Sequence, residues 1–155
     1  MNAPYTCRFV ADKRSVGLVE IATSDSERTV RVVAGAGQAW DLVLPIWYLP
    51  SVAILGDTIA VWAATRLYLL TSGMQAVRAD FDDEVHAVFA ADSRFCVVGE
   101  LSVFVYDADR GVVVDRFQAD DVLGASWWEG ERLFVESASG TPHVFNPSAD
   151  AVRPG

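Results

Sequence analysis

Apolar residues along this chain come in short runs, without a helical rhythm. Segments of four to seven residues rich in Val, Ile, Leu, Phe, Tyr and Trp are each closed by Gly, Asp, Ser, Asn or Pro. β-Branched and aromatic side chains suit a pleated, half-buried surface, and the closing residues adopt the tight turns that end strands. The pattern predicts strands over 16–22, 29–34, 39–44, 52–55, 58–63, 66–71 and 75–78. It continues over 86–90, 94–98, 102–107, 112–117, 125–128, 132–136 and 143–146. Fourteen short strands and no helix make the expected class all-β.

The strands recur at a spacing of about 36 to 39 residues. Val52-Ala53-Ile54-Leu55-Gly56-Asp57-Thr58-Ile59-Ala60-Val61-Trp62 aligns with the segment running from Val88 to Val98 at an offset of 36 residues. The same offset carries Leu67-Tyr68-Leu69-Leu70-Thr71 onto Val103-Phe104-Val105-Tyr106-Asp107. A third copy runs from Trp127 to Val135 and ends in His143-Val144-Phe145-Asn146. Units of this length holding a few short strands resemble the β-propeller repeat class, which includes WD40-like and quinoprotein-like blades. Trp40-Asp41 occurs once, outside the clear copies, and the resemblance is to the class without a specific family. It implies three to four short blades, with a β-sandwich of the same strands as the alternative. Residues 5–48 would form a divergent first blade, and 52–86, 87–124 and 125–150 the clearer repeats, within one domain over 1–155. So few blades suggest a small or half ring, whose open faces a second copy would complete or a partner would cover.

Composition narrows the function classes. Of 155 residues 52% are hydrophobic, which excludes a disordered chain and permits a core without disulfides or metals. The formal charge of −9 is one-sided. Residues 1–78 hold seven basic and six acidic side chains, and residues 79–155 hold five basic and fifteen acidic. A half at −10 repels phosphates and steers basic partners, so nucleic acid is not an expected ligand. Cys7 and Cys96 are too few and too far apart for a disulfide framework. Arg8, Asp12, Lys13 and Arg14 break any leader-like apolar stretch, and Pro50, Gly56 and Asp57 break the one membrane candidate over 46–64. A cytoplasmic protein without a membrane span is expected.

Candidate chemistry is sparse. Asp80, Asp82, Asp83 and Glu84 stand beside His86, one of two histidines, but the run falls between repeats, where solvated loop residues belong. Asp120-Asp121 takes nearly the same place one repeat later, without a histidine. Asp107-Ala108-Asp109-Arg110-Gly111 lacks the distant Glu of a calcium loop and reads as a hairpin turn, as does Ser137-Ala138-Ser139-Gly140. No nucleophile elbow or Gly-rich phosphate loop occurs, so no catalytic residue, metal ligand or cofactor is assigned. Adjacent Trp127 and Trp128 on one strand must face opposite sides, making one of them a candidate anchor. Trp40, Trp47 and Trp62 read as packing between sheets.

The sequence therefore points to a non-enzymatic protein-binding module with a basic partner, in one version an immunity or inhibitor protein. The expected contact residues are Asp80, Asp82, Asp83, Glu84, Asp120, Asp121, Trp127, Trp128, Glu129 and Glu131. The alternative is a ligand-binding or hydrolytic subunit, sited at the ring centre or the seam of a homodimer and drawing on His86 and His143.

Overall fold

A computed structural model describes residues 6–11, 14–35, 37–46, 48–71, 73, 75–91 and 94–147, with the first strand and residues 14 and 15 described by backbone alone. Trp47 and the side chain of Cys7 lie outside the described residues. Fifteen strands and no helix are present among the described residues. In chain order they are β1 (Thr6–Ala11), β2 (Arg14–Thr23), β3 (Glu27–Val33), β4 (Ala39–Pro45) and β5 (Ser51–Leu55). Next come β6 (Thr58–Ala63), β7 (Arg66–Leu70), β8 (Ala76–Asp80), β9 (Val85–Ala91) and β10 (Arg94–Gly99). The last five are β11 (Ser102–Asp107), β12 (Val112–Gln118), β13 (Leu123–Glu129), β14 (Arg132–Ser137) and β15 (Pro142–Phe145).

Within each sheet, strands pair with their sequence neighbours in antiparallel meanders. Sheets of four strands comprise β1–β4, β5–β8 and β9–β12, and a sheet of three comprises β13–β15. Four small sheets are blade-like units, and the sandwich alternative, which needs two large facing sheets, does not hold. All fourteen expected strands are present with ends shifted by at most two residues. The strand not foreseen is β1, which pairs with β2 from Thr6↔Val19 to Ala11↔Arg14. Arg8 and the following Asp-Lys-Arg give that segment a charged, loop-like composition.

The chain divides into two compact units, Met1–Arg78 and Ala79–Gly155. In the first unit β3 and β4 alternate buried and exposed residues. Their inward side chains, Val30, Val32, Trp40, Leu42 and Leu44, pack with Ile59, Val61, Tyr68 and Leu70 from the next sheet. Tyr68 Oη donates to Val43 O at 3.0 Å, and Arg66 bridges Val43 O at 2.7 Å and Glu27 Oε2 at 2.9 Å. In the second unit Cys96, Val98, Val103 and Val105 pack with Leu123, Leu133, Val135 and Phe145. Fully burying such a side chain contributes about 1.5–3 kcal/mol, so these rows account for the pairing of neighbouring sheets within each unit. Strands β6, β7, β10 and β11 are buried on both faces, which is why they read as unbroken apolar runs.

Candidate functional site

In an antiparallel meander the ends of successive strands fall alternately at two edges of the sheet. At one edge of the second unit lie the loop 81–84, the turn 100–101, the loop 119–122 and the turn 138–141. Backbone hydrogen bonds tie these segments together. Ala119 N donates to Leu101 O at 2.8 Å, Leu123 N to Glu100 O at 2.7 Å, and Ala138 N to Val122 O at 2.7 Å. The result is a braced rim that carries much of the acidic half.

Two aspartates brace it in the same way. Asp83 Oδ2 accepts from Leu101 N at 2.8 Å and Ser102 N at 2.9 Å, while Oδ1 accepts from Glu84 N at 3.0 Å. Asp121 stands 38 residues later and its Oδ2 accepts from Ser139 N at 3.1 Å, with Oδ1 accepting from Val122 N at 2.8 Å. Leu101 and Ser139 are also 38 residues apart, so one bracing device is used in consecutive repeats. The Ser139 side chain, with the Val122 and Ser139 amides, holds the Asp121 carboxyl below the usual carboxylate range. Gly99 is part of the same device, because a Cβ there would stand 2.5 Å from Asp83 Oδ2.

Of the other expected contact residues, Asp82 forms an ion pair with Arg116 at 2.7 Å. Arg116 Nη2 also donates to Ser102 Oγ at 3.1 Å, and its guanidinium lies 5.0 Å from the Phe104 ring centre. The basic side chain at this part of the rim is thus already engaged. Asp120 is exposed, and Glu100, which the sequence reading did not single out, is an exposed carboxylate on the same rim. Its only signal was position, two residues past the end of the strand expected over 94–98.

Glu129 and Glu131 sit at the other edge, Glu129 ending β13 and Glu131 in the turn to β14. The length of β13 places them about 20 Å from Asp120 at about 3.3 Å per residue, so the ten residues do not form one patch. Trp127 is 41% exposed and stacks on Phe134 with ring centres 5.6 Å apart. Trp128 turns to the opposite face, packs against the core of the unit and stacks on Phe89 at 6.3 Å. Asp80 is exposed at the end of β8, just before the 81–84 loop.

The histidines are apart in role and setting. His86 is exposed on β9, and His143 is half-buried with its ring 5.3 Å from that of Phe117. No group of three His, Cys, Asp or Glu able to hold a metal is present among the described residues. Among them, too, no helix is long and apolar enough to cross a membrane. Asp107 serves its turn, accepting from Arg110 N through Oδ1 at 3.1 Å and from Gly111 N through its carbonyl at 2.8 Å. A cavity of about 210 Å³ opens on the rim beside Asp120 and Asp121, with Ser139, Thr141, Phe117 and His143 among its walls.

No protein-family model and no curated protein sequence matches the chain. Solved structures do. The crystal structure of HIRA(644-1017) superposes with a TM-score of 0.61 at 14% identity, over 97% of this chain and 52% of that one. The WD40 domain of coronin from Toxoplasma gondii gives 0.59 at 8% identity, over 90% of this chain and 42% of that one. The fold is of the β-propeller class. BBS1N in complex with ARL6DN gives 0.55 at 13% identity, over 90% of this chain and 46% of that one. The chain spans about half the length of these propeller structures. In propeller terms the four sheets are blades, and the rim is formed by loops between blades and by the turns joining the two middle strands of a blade.

Proposed function

We infer that this propeller chain is a non-catalytic protein-binding module whose second unit presents its acidic rim to a basic protein. One observation carries the reading. The rim sets Asp82, Glu84, Glu100, Asp120 and Asp121 along one braced edge, and the arginine at that edge is already taken up by Asp82, Ser102 and Phe104. Such an edge keeps a field of one sign, which speeds the capture of oppositely charged partners and selects among them. The fold supports the reading by analogy, since the propeller in BBS1N was crystallised in complex with another protein, ARL6DN. An immunity or inhibitor protein that covers the basic face of a toxin or enzyme in the cytoplasm is the concrete form.

The test uses exposed carboxylates that brace no backbone amide of the rim. D82K/E100K reverses two exposed rim carboxylates and leaves the bracing Asp83 and Asp121 intact. E129K/E131K makes the same change of charge at the opposite edge. Partner recovered from native lysate by the wild-type chain should be lost with the rim variant and largely retained with the other. Equal recovery by wild type and D82K/E100K would overturn the reading.

A further inference from the structure

The rim cavity brings aromatic, hydroxyl and carboxylate groups into one lining. Phe117 and His143 form an aromatic wall, Ser139 and Thr141 supply hydroxyls, and Asp120 and Asp121 supply two carboxylates. No Lys or Arg lines it. Asp121 spends one lone pair on each oxygen to brace Val122 and Ser139, while the Asp120 carboxylate is exposed, with no side-chain partner among the described residues. At about 210 Å³ the cavity falls short of the roughly 300–1,000 Å³ that enclose a drug-sized molecule. It is large enough for a single side chain.

We propose that this cavity takes a guanidinium group, supplied by an arginine side chain of the basic partner. The proposal rests on the protein-binding reading above and names the anchor within it. Guanidinium matches the lining better than ammonium on two counts. Its planar face stacks on aromatic rings, and two rings line the cavity, Phe117 and His143, tilted 51° to each other with centres 5.3 Å apart. Its fork of donors can reach a carboxylate oxygen pair at Asp120 and a hydroxyl at Ser139 or Thr141 together, where an ammonium acts as a point charge. Desolvating the group between the ring wall and the rim strengthens both contacts.

The experiment titrates the isotope-labelled full chain with three probes and follows backbone amide resonances. These are N-acetyl-arginine methylamide, a blocked tetra-arginine peptide and a blocked tetra-lysine peptide. The amides of Asp121, Ser139, Thr141 and His143 should shift saturably with tetra-arginine, and about tenfold more peptide should be needed for D120N, which loses a charge-assisted bond. F117L, which keeps apolar bulk but removes the ring, should weaken tetra-arginine more than tetra-lysine. Absence of saturable shifts at these amides, equal response to the two peptides, or unchanged binding by D120N overturns the proposal. Binding of the single blocked arginine as tightly as the peptide overturns the partner as source and assigns the cavity to a small guanidine. D82K/E100K lies outside the cavity, so its effect on partner recovery fails or succeeds independently of these shifts.

Discussion

Replacing Asp83 by alanine strips three backbone amides of their acceptor in one step, and the consequences can be worked out amide by amide. Glu84 and Leu101 sit near solvent and regain water. Ser102 is fully buried, so its N–H, 2.9 Å from Asp83 Oδ2, is left without an acceptor. A hydrogen bond to a charged group contributes about 1.5–3 kcal/mol, and an orphaned buried donor costs about 1–3 kcal/mol. Since one amide bears the loss and two are rehydrated, D83A should destabilise the fold by about 2–3 kcal/mol. For a chain of this size that lowers Tm by about 4–12 °C. G99A reaches the same brace from the other side. The backbone there suits alanine, but the added Cβ would stand 2.5 Å from Asp83 Oδ2 and push the carboxylate off its amides. It should cost about 1–3 kcal/mol. Because both substitutions break one device, D83A/G99A should cost clearly less than the sum of the singles. Urea unfolding followed by tryptophan fluorescence and by far-ultraviolet circular dichroism measures all three. A D83A loss below about 0.5 kcal/mol, the range of ordinary surface substitutions, would refute the bracing argument, as would additivity of the pair.

Other outcomes follow from the same geometry. The Asp121 carboxyl is held below its ordinary value, so its contribution is complete above the unfolded pKa and fades as pH falls through the folded one. D121N should therefore be less stable than wild type at pH 7, with the two unfolding curves converging toward pH 2; a gap of constant size would contradict this. Burial pushes the Cys96 thiol up to about 12, so in a C7S background a thiolate-selective disulfide reagent at pH 8 should leave the native protein unlabelled and take one equivalent after denaturation. Rapid native labelling would show that this part of the core is open. W127A should change stability by about 1 kcal/mol, because the ring is 41% exposed and loses mainly its stacking on Phe134.

Strand positions were legible because the second and third blades bury their middle strands on both faces, the others alternate, and the chain turns sharply between strands. Val97, Val98, Val103 and Val105 therefore form runs, and Gly56, Gly111 and Gly130, all at positive φ, punctuate them. The first strand was obscured by the charges around it, since backbone pairing with β2 needs no apolar pattern. The rim was legible only in part. Its acidity shows in composition, but Asp83 and Asp121 read as solvated loop carboxylates although both hold backbone amides. Their shared spacing of 38 residues to each other, matched by Leu101 and Ser139, was the available signal. Glu129 and Glu131 looked continuous with Asp120 and Asp121 along the chain, yet the length of β13 sets them at opposite edges. The cavity is assembled from two separate stretches, 117–121 and 137–143, and leaves no local motif.

The central claim, capture of a basic protein by the acidic rim, is tested most directly by the association rate of the partner purified from its native source. Rapid-mixing measurements across ionic strength should show a cationic partner whose association slows about tenfold or more as salt rises from low to physiological levels. D82K/E100K should abolish that dependence. A neutral or acidic partner, or an association rate indifferent to salt and to the rim charges, would contradict it.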